Sequence, residues 1–106
     1  MEIDAYARWA AATGGVQPQD AQDPRELSYL GLGLAGEAGE VAGEIKKLLR
    51  EGRLDPARLA DELGDVVYYW ARLCVAVGIA PGELLDRSRA KIAARLTQAG
   101  GKSTAG

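Results

Sequence analysis

The chain is divided into helix-length pieces by its own punctuation. Asp23-Pro24 and Asp55-Pro56 each set a capping acid before a first-turn proline, the pairing that opens a helix. Gly52 and Gly78 follow where a left-handed residue can close the two helices so begun. Pro81 then opens another. Ahead of them lies an Ala-rich segment, 2–13, with Ile3, Tyr6, Ala7 and Ala10 at helical spacing. A polar linker runs from Gly14-Gly15 to Pro24, and Gly100-Gly101 precedes a tail.

The apolar pattern between these points has helical periodicity. Leu30, Leu34, Val41, Ile45 and Leu48 recur at steps of 4, 7, 4 and 3. The next piece carries Leu59, Leu63, Val66, Val67, Trp70, Leu73, Cys74 and Val77, and the last carries Leu84, Leu85, Ile92 and Leu96. The run VVYYW at Val66 to Trp70 is β-branched and aromatic, which by itself suits a strand. The stripe continues at helical spacing on both sides, so a helix is expected. The expectation is one all-α domain over residues 1–106, with four helices, antiparallel neighbours across short connections, and a flexible tail over 98–106.

Composition limits the chemistry. There is no His among the 106 residues. Ser-His-Asp triads, Cys-His pairs, His-ligated zinc and carboxylate–His di-iron sites are therefore excluded. The single Cys74 allows no internal disulfide and fits a reducing, cytoplasmic compartment. A net charge of −2 makes no case for a nucleic acid polymer or an anionic membrane as partner. No apolar run is long enough to span a bilayer, and the N-terminus lacks a signal pattern. A chain this short buries only roughly 60–68% of its unfolded surface. With so apolar a third helix, a homo-oligomer is expected.

Acids inside the apolar helices are the most informative feature. Glu37, Glu40 and Glu44 share one helix face, and Lys47 extends it. Glu62 and Asp65 form a second i, i+3 pair. On two consecutive antiparallel helices the pairs can converge, and convergent carboxylates repel unless a cation joins them. Oxygen donors alone select a hard ion, Mg²⁺ or Mn²⁺. Such pairs are equally at home on solvated, salt-bridged helix faces. Gly31, Gly33, Gly36, Gly39 and Gly43 tip the balance, since each costs about 1 kcal/mol relative to Ala in a helix interior. They suggest close helix approach or room beside the acids.

At these residues the sequence resembles the MazG-like nucleotide pyrophosphohydrolases, the all-α NTP pyrophosphatase group. The matching text is GLAGEAGEVAGEIKK, Gly33 to Lys47, and DELGDVVYYWARL, Asp61 to Leu73. The family pattern Glu-x-x-Glu, then Glu-x-x-Asp, falls on Glu37, Glu40, Glu62 and Asp65. A later element, Asn-x-x-Lys-x-x-x-Arg, appears as SRAKIAAR, with Lys91 and Arg95 matching and Ser88 in place of Asn. The resemblance covers roughly residues 27–97.

The resemblance implies a MazG-like four-helix bundle assembled as a dimer or tetramer. It implies Mg²⁺-dependent hydrolysis of nucleoside triphosphates between the α and β phosphates, giving a monophosphate and pyrophosphate, with nucleotide-pool house-cleaning as the extrapolated role. Glu37, Glu40, Glu62 and Asp65 would hold the metal, and Glu37 or Glu40 would act on the attacking water. Lys91 and Arg95 would hold phosphate, with Ser88 beside them. Tyr69 is open between stacking on the base and packing in the core. Lys47 is open between reaching phosphate and pairing with Glu44, the latter favoured. Cys74, Trp9 and Trp70 read as packing residues. Two other readings stay in view: a non-catalytic helical nucleotide-sensing or interaction module, and a phosphoribosyl-ATP pyrophosphatase-like enzyme.

Overall fold

The capping residues open and close the helices where the sequence places them. The computed structural model describes residues 1–105, leaving aside the side chains of Pro18 and of residues 101–105. It contains α1 (Ile3–Thr13), a 3₁₀ turn at Pro18–Asp20, α2 (Pro24–Glu51), α3 (Pro56–Ala76) and α4 (Pro81–Ala105), with no strand among the described residues. Asp23 accepts from Arg25 N–H at 2.8 Å, and Asp55 accepts from Ala57 and Arg58 N–H at 3.1 and 3.3 Å. Gly52, at φ +77°, donates to Leu48 O at 2.8 Å and closes α2. VVYYW is helical throughout.

One feature differs from the expectation. The fourth helix does not join the others in a bundle, because the chain bends by 104° between α3 and α4. α4 touches α1 and α3 only near its start, and everything from Asp86 to Gly100 is exposed. α4 itself runs through the glycine pair to Ala105. Residues 98–105 continue it, and Gly106, the end of the expected tail, lies outside the described residues. Glycine weakens a helix and readily closes one where it takes a left-handed φ. Positive φ among the described glycines is confined to Gly15, Gly52 and Gly78.

The compact part is α1, α2 and α3, with α3 in the middle. Its fully buried apolar residues are few and mostly small: Ala7, Ala10, Leu30, Ala71, Cys74 and Ala76. A buried cation ties the three helices together. Arg72 of α3 donates to Glu26 Oε1 of α2 at 2.9 Å and to Tyr68 Oη at 3.5 Å. It also faces the rings of Tyr29 and Tyr68 at 5.8 and 5.4 Å. Its guanidinium fills the space beside Gly14, where any Cβ would overlap it. Tyr68 Oη in turn lies 2.6 Å from Thr13 Oγ1 of α1. The radius of gyration, 17.4 Å, exceeds the value of about 13 Å typical of a compact domain this long, because α4 projects.

Candidate active site

The groove between α2 and α3 carries the site. Antiparallel packing makes partner numbers on α3 fall as those on α2 rise. Tyr29 meets Tyr69 at 6.1 Å between ring centroids. The Tyr69 ring occupies the space a side chain at Gly33 would fill. Glu37 meets Glu62 and Asp65, and Glu44 meets Arg58 at 3.6 Å.

The acids converge at the centre of this series. One carboxylate oxygen from each of Glu37, Glu62 and Asp65 lies within 4.8 Å of the others. Glu37 and Glu62 are half-buried and Asp65 is exposed. Partial burial, then the charges of Glu40, Asp65, Glu37 and Glu44, push the Glu62 carboxyl above its ordinary value of 4.5. Four acids thus work against ionisation of the fifth. That is the electrostatic condition a divalent cation relieves, and the all-oxygen donor set suits Mg²⁺.

The other sequence-predicted residues are placed unevenly around this centre. Glu40 lies outside the group of three oxygens and is exposed, although its charge acts on Glu62. Lys47 pairs with Glu44 at 3.0 Å, the reading favoured from sequence. Tyr69 is half-buried, edge-on to both Tyr29 and Tyr68. The neighbouring Tyr29, then partial burial and the charge of Glu37, push the Tyr69 phenol above its ordinary value, with Arg72 opposing. Ser88, Lys91 and Arg95 are on the exposed length of α4. Ser88 and Lys91 line a separate cleft with Ile79, Leu84 and Arg87 at the α3–α4 elbow. Among the described residues, no ion pair or hydrogen bond joins Ser88, Lys91 or Arg95 to the acids.

Two residues of the groove, Arg58 and Tyr29, are not among the site residues expected from the sequence, although a sequence signal points to each. Arg58 stands four positions before Glu62 and so shares its helix face, a spacing that marks it. Tyr29 stands four before Gly33 in the same way.

Residues 25–98 match the family model of the MazG nucleotide pyrophosphohydrolase domain, and they include both acidic blocks and the Lys91 and Arg95 positions. The chain belongs to the MazG family. This MazG chain is also similar to the Gene 37 protein of Mycobacterium phage L5, 35% identical over 105 residues that cover 90% of this chain and 89% of that one. No solved structure matches the MazG chain. No single helix of the described residues is long and apolar enough to cross a membrane.

Proposed function

We propose that this MazG domain hydrolyses nucleoside triphosphates between the α and β phosphates, releasing a nucleoside monophosphate and pyrophosphate, with Mg²⁺ as cofactor and Mn²⁺ as a substitute. The observation that carries the reading is the set of three carboxylate oxygens, from Glu37, Glu62 and Asp65, within 4.8 Å of one another. These three, with Glu40 beside them, would hold the ion. When bound, it supplies neutralising charge for the phosphates and for the leaving pyrophosphate.

The chain's own residues do the rest. Glu37 orients the attacking water and takes its proton as the new P–O bond forms, with Glu40 next to it on the same face. The bridging oxygen leaves with pyrophosphate. Tyr69, braced by Tyr29, offers the base an aromatic wall next to the acids. Removal of unwanted nucleotides in the cytoplasm is the role this activity fits.

Self-association as a dimer or tetramer is part of the proposal. The small core and large radius of gyration support it. So do the exposures of Leu32 and Leu49 on α2 and Leu96 on α4, at 73%, 86% and 68%. Lys91, Arg95 and Ser88 would then meet phosphate within an assembly. The other reading, a nucleotide-sensing module without turnover, draws on the same separation of Lys91 and Arg95 from the acids.

The test is pyrophosphate release across a panel of canonical and modified nucleoside triphosphates, with Mg²⁺, with Mn²⁺ and with chelator. Metal-dependent release with a monophosphate product is expected, along with its loss in Asp65→Asn. Nucleotide binding without release supports the sensor reading, and full turnover by Asp65→Asn overturns the site.

A further inference from the structure

A cleft of different chemistry lies between α1, α2 and α3, two helical turns from the acids. Its volume is about 210 Å³, and its lining is apolar, with Ala12, Val16, Leu30 and Ala76 among the residues, except where Glu26 and Arg72 enter the wall. Arg72 is buried and Glu26 half-buried. Arg72 donates to Glu26 Oε1 at 2.9 Å, whereas Glu26 Oε2 accepts from no group among the described residues. A guanidinium has five N–H donors, and that of Arg72 meets two acceptors among the described residues, Glu26 and Tyr68. An open acceptor and spare donors therefore stand side by side on an apolar wall. Ala12 and Val16 lie ahead of residues 25–98, which match the family model, so the outer wall comes from this chain's own N-terminal segment.

Size, charge and position narrow the occupant. The volume is below the roughly 300–1,000 Å³ of a pocket for a whole small ligand, so the cleft takes a part of one. The ion pair is neutral as a whole and the other walls are apolar, which suits a flat uncharged group and disfavours a phosphate. Leu30 precedes Glu37 by seven residues on α2, and Arg72 follows Asp65 by seven on α3. Both helices thus set the cleft about 10 Å from the acids. That is comparable with the reach from the base of a nucleotide, across its sugar, to the first phosphates. Tyr69 lies between the two on α3.

The acceptor and donors discriminate among bases. Cytosine and adenine carry an exocyclic amine beside a ring nitrogen that accepts, whereas uracil and hypoxanthine carry a carbonyl and an N–H in those places. The amine can donate to Glu26 Oε2 while the ring nitrogen accepts from Arg72. A carbonyl in the same place sets oxygen against oxygen, with no proton between. We propose that the cleft receives the base of the substrate and that Glu26 and Arg72 select the amino bases, cytosine and adenine, over uracil and hypoxanthine. The proposal rests on the pyrophosphohydrolase reading and adds to it a substrate class. Both residues touch the base in it, and their own hydrogen bond holds them in register.

The experiment compares kcat/KM for pyrophosphate release, in Mg²⁺, within two pairs of near-isosteric substrates, CTP against UTP and ATP against ITP. The wild type is expected to prefer the amino member of each pair at least about tenfold. Glu26→Gln keeps an acceptor for Arg72 and adds N–H donors that suit a carbonyl, so the preference is expected to fall below about threefold in both pairs. A merely structural effect of that change lowers both members together and leaves the ratio intact. Ala12→Phe, at an exposed position of the cleft wall, is expected to raise KM for all four substrates at least about fivefold. Unchanged helical circular dichroism checks folding, and Ala12→Phe carries the test if Glu26→Gln does not fold. Equal kcat/KM within both pairs in the wild type, an unaltered preference in Glu26→Gln or an unaltered KM in Ala12→Phe overturns the base cleft and leaves the function reading standing. A wild type that releases no pyrophosphate from any of the four overturns the function reading. Calorimetry with CMP and UMP then decides the cleft: tighter binding of CMP that Glu26→Gln removes supports it, and equal or absent binding overturns it.

Discussion

The ring of Tyr69 on α3 occupies the space that a side chain at Gly33 on α2 would need. Two helices can thus bring a tyrosine next to Glu37 only because position 33 has no Cβ. At Gly36, one turn along, a methyl group would meet nothing within 4 Å. The two glycines should respond oppositely to alanine. Gly33→Ala must displace the Tyr69 ring, and both stability and turnover should fall, with about 1–3 kcal/mol lost in urea unfolding. Gly36→Ala should leave the single-chain fold intact and gain roughly 0.5–1 kcal/mol of helix propensity. If Gly36→Ala instead disrupts self-association in a sizing experiment, its open space is where a second copy packs.

The glycine-rich stretch shows what the sequence could and could not convey. Five glycines in one helix announce a close approach, and Gly33 is one. Gly31, Gly36, Gly39 and Gly43 face open space in the single chain. The helices themselves were legible because capping acids, prolines and the 3–4 residue stripe are local signals. The convergence of Glu37, Glu62 and Asp65 was legible because antiparallel neighbours and i, i+3 spacing leave little choice of geometry. The departure of α4 was not, because the 104° bend after α3 depends on tertiary contacts. One of these is Asp4 accepting from Gly82 N–H at 2.8 Å, across 78 positions of sequence. The full pairing of Glu44 was hidden for a similar reason. Its local partner Lys47 was visible at i, i+3, while Arg58 reaches it from another helix.

Glu62 should set stability and function against each other. Its folded-state pKa lies above 4.5, because partial burial and the neighbouring acids disfavour its charged form. Its favourable contribution is complete below 4.5 and is lost as pH rises through the raised value. In chelator, the melting temperature should fall as pH climbs from the ordinary carboxylate range to neutrality. Mg²⁺ should lessen that fall, since binding displaces the proton and offsets the charge. Glu62→Gln should flatten the pH dependence of the metal-free protein, raise its melting temperature near neutrality and abolish pyrophosphate release. A variant as pH-sensitive as the wild type would locate the repulsion elsewhere.

Arg72 and Glu26 form the buried ion pair of the core, at 2.9 Å with side-chain exposures of 8% and 18%. Removing one partner leaves the other charge facing an apolar cleft lined by Leu30, Val75 and Ala76. Arg72→Leu should cost about 3 kcal/mol in urea unfolding, and the double variant Arg72→Leu, Glu26→Leu should recover part of that loss. The recovery will be incomplete, because Arg72 also donates to Tyr68 and faces two tyrosine rings. Full additivity of the two single changes would show that the pair is not coupled.

Asp4 acts as the cap of a helix other than its own. It lies in the first turn of α1, yet its Oδ1 accepts from the Gly82 N–H at the start of α4. The residue before Pro81 is Ala80, which has no side-chain acceptor to offer. One carboxylate thus satisfies the α4 terminus and fixes its attachment to α1 at the same time, with favourable charge at a helix N-terminus. Asp4→Ala should cost about 1 kcal/mol in urea unfolding, as loss of a cap does. It should also speed amide exchange in the first turn of α4 more than anywhere in α2 or α3. Asp4→Asn keeps an acceptor at the same reach and should restore most of the protection. If neither change alters exchange at α4, the apolar contacts around Ile79 and Pro81 hold this junction without the cap.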